Sequence, residues 1–71
     1  MTGPKQYDVF ILEKDINPVI KKGMKAVILE IWSNNSFEIE FVKEDGTNYE
    51  YLEKATFTVD KSFIGEIIWT E

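Results

Sequence analysis

The run Phe37-Glu38-Ile39-Glu40-Phe41 alternates apolar and carboxylate side chains one by one. Successive side chains of a strand point to opposite faces, so this pattern buries one face and leaves the other to solvent. A helix would scatter the same residues around its circumference. The run ends at Lys43-Glu44-Asp45-Gly46, and Asp-Gly supplies the positive φ of a tight hairpin turn. Thr47-Asn48-Tyr49-Glu50-Tyr51-Leu52 then reads as the returning strand, with Tyr49 and Tyr51 on one face. This hairpin fixes an antiparallel, half-buried sheet as the starting point for the whole chain.

The flanking segments extend the sheet. Tyr7 to Glu13 reads as a first strand, with Tyr7, Val9 and Ile11 on one side and Phe10 and Leu12 on the other. Met24 to Trp32 reads as a second, long enough to bend across two packing environments. Its strict alternation groups Ala26, Ile28, Glu30 and Trp32 on one side. Between them, Asn17-Pro18 marks a loop, because proline pushes the preceding residue out of the α region. Ile16, Val19 and Ile20 are expected to fold back over the barrel mouth. Gly23 closes the loop in a conformation that a side chain would oppose. Asn34 and Asn35 mark the next turn. Ala55, Phe57 and Val59 alternate with Thr56 and Thr58 as another strand, and Asp60 is placed to cap one 3-10 turn near residues 60–63. Ile64 to Trp69 is the last strand, and Gly65 within it permits a kink or a close backbone approach.

Five to six short antiparallel strands, one early loop and a late 3-10 turn describe an all-β, small, SH3-like partly open barrel. The five-stranded OB-type barrel is the alternative, but it leaves no room here for its helix. Residues 1–6 are small and polar and are expected to be disordered. Residues 7–71 are expected to form a single SH3-like β-barrel domain.

Composition narrows the chemistry. The chain has 71 residues and a formal net charge of −5, from thirteen carboxylates against eight lysines and no arginine. It has neither cysteine nor histidine, so no disulfide framework, thiolate metal site or imidazole base is available. A nucleic-acid binder favours a basic surface and guanidinium forks. The only basic cluster, Lys21, Lys22 and Lys25, reads as a solvated loop edge. No serine has a histidine to activate it. The Glu38/Glu40 pair lies on one strand face about 7 Å apart, without the facing cleft that glycosidase chemistry requires. The Glu44-Asp45-Gly46 turn offers too few oxygens for calcium. An enzyme, a cofactor and a metal site are therefore not expected. No signal peptide or membrane-spanning stretch is evident, and a cytoplasmic setting is expected.

The sequence resembles a bacterial family of small proteins called domain of unknown function 4926. The likeness runs over about residues 7 to 60, most of a domain of this size. It is carried by Tyr7-Asp8-Val9 with Ile11-Leu12, Asp15-Ile16, Lys22-Gly23, Val27-Ile28-Leu29-Glu30, and Phe37 to Val42 with Asp45-Gly46-Thr47. Members tend to carry a second glycine where this chain has Ala26. The resemblance implies an SH3-like barrel and no activity.

The functional expectation is a non-catalytic protein-binding module. Glu38, Glu40, Glu44, Asp45 and Glu50 would supply an acidic face, and Tyr49, Tyr51 or Trp32 its aromatic anchors. Its partner would be a basic protein. The concrete form is an immunity or antitoxin protein inhibiting a toxin nuclease through electrostatic steering. The alternatives are a nucleic-acid or ribosome-associated SH3-like domain and an accessory subunit of a larger assembly. The state is expected to be a monomer or a weak homodimer, since an open barrel leaves strand edges.

Overall fold

The structure is a computed structural model that describes residues 3–41, 49 and 51–70. The strands are β1 (Val9–Leu12), β2 (Lys25–Ser33), β3 (Ser36–Glu40), β4 (Thr56–Val59) and β5 (Ile64–Trp69). A 3-10 turn, Lys61–Phe63, joins β4 to β5. All pairings are antiparallel, in one five-stranded sheet of order β4-β3-β2-β1-β5. A meander whose last strand returns beside the first, by way of one 3-10 turn, is the arrangement of an SH3-like barrel. The barrel is partly open, because β4 and β5 end the sheet rather than pairing with each other.

The period-two pattern decides which side chains go inside. Phe37, Ile39 and Phe41 are buried, while Glu38 and Glu40 sit half-buried on the outer face. Phe10 and Leu12 of β1, Ala26 and Ile28 of β2, and Val59 of β4 complete the core with Ile20. The tilted Phe41 and Phe57 rings, 6.0 Å apart between centroids, continue it toward β4.

Ile20 reaches the core because Asn17 shapes the loop before it. The Asn17 Oδ1 accepts the backbone N–H of Val19 at 2.9 Å and of Ile20 at 2.8 Å, a side-chain imitation of a backbone turn. Ile20 is then fully buried and Ile16 packs against the core. Val19 departs from the expectation and stays exposed, because the same turn aims it outward. Gly23 does adopt a positive φ, +96°, and its N–H donates to the Leu12 carbonyl at 2.8 Å. At Asp60 the expected cap is present: its carboxylate accepts the Ser62 N–H at 2.8 Å and also the Ser62 hydroxyl. The segment before β1 is tied down at two points. Lys5 N–H donates to the Asp8 carboxylate and the Gln6 amide to the Leu29 carbonyl, both at 2.9 Å.

Two sequence readings need correction. Strict alternation placed Glu30 and Trp32 with Ala26 and Ile28. The register of β2 against β3 instead shifts by one residue between Ile28 and Glu30, and again between Ile31 and Ser33. Ile28 faces Ile39 inside, and Glu30 faces Glu38 outside. An extra residue on one strand reverses the facing of everything after it, which no alternation rule anticipates. The second correction concerns the returning strand. Tyr51 and Lys54 exchange two backbone hydrogen bonds, 2.9 and 3.0 Å, around Leu52 and Glu53. Leu52 and Glu53 have φ of 52° and 66°, the signs that a two-residue primed turn demands. β4 pairs with β3 beyond this turn, and Tyr49 N–H meets the Phe41 carbonyl, while residues 47, 48 and 50 of the expected returning strand lie outside the described residues. The turn expected at Lys43 to Gly46 and the stretch around it lie outside the described residues.

Candidate functional site

The outer face of β2, β3 and β4 carries most of the described candidate residues. Glu38 is its hub. Across the strands it faces Glu30 on one side and Thr58 on the other. Its Oε1 accepts the Thr58 hydroxyl at 2.6 Å and the Trp32 indole Nε1–H at 3.3 Å. The Thr56 hydroxyl, then the Thr58 hydroxyl, the Trp32 indole N–H and the nearby Lys54 charge, stabilise the carboxylate and hold its pKa below the usual 4.5. Partial burial works in the opposite direction and does not win. Glu40 lies two positions along β3, facing Thr56 on β4 and Val27 on β2.

Trp32 is the exposed aromatic of this face, with 62% of its surface accessible. The bulge that turned it outward also brought it over Glu38. Tyr49 and Tyr51 are placed differently. Tyr49 donates its N–H to the Phe41 carbonyl at 2.9 Å and packs half-buried against the core. Tyr51 is half-buried beside the Leu52-Glu53 turn. Of the expected anchors, Trp32 is the one on open surface. Glu44, Asp45 and Glu50 lie outside the described residues. Sequence reading missed Glu30 and the threonines of β4. The Thr56/Thr58 alternation was the available signal for the latter, since it puts both hydroxyls on the face opposite Phe57.

A groove of about 570 Å³ runs along β4, lined by Glu38, Lys54, Thr56 and Thr58 on its outer side and by Phe57 and Ile16 on its inner side. It wraps around a strand edge rather than forming a cleft between two elements. The Glu38 carboxyl is held below its usual range, the wrong direction for a general acid. Among the described residues no three Asp or Glu side chains gather to hold a metal ion, and no helix is long and apolar enough to cross a membrane.

Asp15 is an acidic neighbour of the basic cluster. Lys21 pairs with Asp15 at 3.8 Å, and the Lys22 N–H also donates to Asp15, at 2.7 Å.

Compared with known proteins, the chain matches no family model, no curated protein and no solved structure.

Proposed function

We propose that the protein is a non-catalytic module that docks a basic protein partner on the outer face of β2, β3 and β4. The observation that carries this reading is the Trp32–Glu38 pair. A large, exposed aromatic ring is held by its own N–H to a carboxylate that two threonines keep charged. Anchor and charge are fixed before any partner arrives, which reduces the ordering cost of binding. Glu30 and Glu40 extend the negative field on either side. A tryptophan beside a carboxylate, on a face with Glu30 and Glu40, would recognise a lysine- or arginine-rich surface through cation–π contact and steering.

An immunity or antitoxin protein against a basic toxin nuclease is the concrete form of this proposal, in a cytoplasmic setting. The nucleic-acid reading has less support, because the chain has a net charge of −5 and no arginine. The sequence likeness to domain of unknown function 4926 supports no activity.

The test is a pull-down from native lysate at low and high salt, with the bound protein identified by mass spectrometry. Wild type is compared with Trp32→Ala and with the double reversal Glu38→Lys/Glu40→Lys. One stoichiometric basic partner, released by salt and lost from both variants, is the expected result. A partner that the double reversal retains with unchanged affinity refutes the acidic-face reading. Recovery of RNA or ribosomal proteins would replace it with the nucleic-acid reading.

A further inference from the structure

β5 is the long edge of this sheet. Among the described residues it pairs with β1 alone, and its other edge has no strand beside it. Proteins commonly blunt such an edge with lysine, proline or a covering loop. β5 ends in Ile67-Ile68-Trp69, with 38%, 43% and 56% of their surfaces exposed, although Pro4, Lys5 and Lys61 line a hollow beside Ile67 and Thr70. Three consecutive apolar residues at an open edge form a template for one more strand.

We propose that this edge pairs with β5 of a second copy, antiparallel, about a two-fold axis near Ile68. Three observations favour a second copy as the occupant. The first is charge. A chain of net charge −5 repels its own copy wherever carboxylates face each other, and the β4 edge is flanked by Glu38 and Glu53. Ile67 to Trp69 carries no charge at all. With the axis at Ile68, Glu66 lies opposite Thr70 of the second copy. The two Glu66 carboxylates then stand about four residues, or about 13 Å, apart, beyond the screening length of about 8 Å at physiological salt. The second is self-complementarity. The same register sets Ile68 against Ile68 and Trp69 against Ile67, an aromatic against a β-branched side chain, one of the favourable cross-strand pairs. The third is closure: an isologous contact uses the same patch on both copies and stops at a dimer.

The available area sets the strength. Half of a tryptophan and parts of two isoleucines amount to roughly 250–300 Å² of side chain per copy. With the paired backbone, the total over both copies stays below the roughly 1,200 Å² of a stable interface. The dimer is therefore weak, with a Kd on the order of 0.1–1 mM.

Sedimentation velocity from about 10 μM to about 1 mM brackets that Kd, and the weight-average mass is expected to rise from monomer toward dimer. Ile68→Lys puts two ammonium groups opposite each other on the axis and is expected to leave a monomer throughout. Leu52→Lys removes an apolar side chain that is 80% exposed at the turn before β4 and is expected to leave the curve unchanged. In wild type, amide shifts that depend on concentration are expected at residues 66–70, a reading that needs no variant. A monomer at the highest concentration overturns the proposal. So does association that survives Ile68→Lys, that Leu52→Lys abolishes, that grows past the dimer, or that moves amides of β4 instead.

Discussion

Gly65→Ala tests whether β5 packs on β1 as closely as the backbone geometry requires. A Cβ at position 65 would lie 2.4 Å from the Ile11 carbonyl oxygen and 2.8 Å from Oε2 of Glu13. The Glu13 side chain can swing away. The Ile11 carbonyl cannot, because it belongs to the strand that both β2 and β5 flank. Restoring ordinary contact requires β1 and β5 to separate by about 1 Å, enough to weaken a ladder hydrogen bond worth about 1 kcal/mol. Overpacking by itself costs about 1–3 kcal/mol. The expected loss is about 3 kcal/mol, out of a stability of about 4–10 kcal/mol for a domain of this size. Gly23→Ala is the matched control. Position 23 has nothing within 4 Å of the new methyl, but its φ of +96° makes any side chain cost about 1–2 kcal/mol. Urea unfolding followed by tryptophan fluorescence reads both. With a slope of about 1 kcal/mol/M, Gly65→Ala should lower the midpoint by about 3 M, and Tm should fall by more than about 12 °C. A Gly65→Ala variant within about 0.5 kcal/mol of wild type, or one less damaging than Gly23→Ala, refutes the close-approach argument.

Glu38→Gln should cost about 1 kcal/mol near pH 7, after allowance for the solvent that reaches the carboxylate. The Glu38 pKa is lowered in the folded state, so its contribution is full above the unfolded value and is lost as pH falls through the folded one. The gap between the variant and wild type should therefore close on acidification, and a gap that stays constant down to about pH 2 refutes this account. Asn17→Ala removes the acceptor for two N–H groups and should cost about 1–2 kcal/mol in urea unfolding, with faster amide exchange across residues 16–20. Replacing Leu52-Glu53 by Asn-Gly should stabilise the chain by about 1–2 kcal/mol, because both positions hold positive φ with side chains that oppose it. An unchanged or lower midpoint would show that this turn carries no strain. Phe37→Ala should cost about 3–5 kcal/mol, since the ring is fully enclosed; a midpoint within error of wild type would contradict the assigned core.

The sequence by itself determined the fold class and the inner face of β3. Alternation in Phe37 to Phe41 fixed a strand with carboxylates outward, and Phe10 and Leu12 were separable from Val9 and Ile11 by the same rule. Gly23, Asp60 and Gly65 were legible for a related reason. Each answers a local backbone demand, such as a positive φ, a cap or a close approach, that only a few residue types can meet. What the tertiary structure decided is the facing of Glu30 and Trp32, the reach of Asn17 in burying Ile20, and the tight turn at Leu52. A bulge in β2 follows from how two strands fit around a shared core, and period two carries no mark of it. Leu52 and Glu53 lack the Asn-Gly signature, so their turn is imposed by the pairing on either side of it. The candidate site inherits this division. Its charges were readable from Glu38 and Glu40, but the tryptophan came to hydrogen-bond Glu38 only because β2 departs from simple alternation at two register shifts.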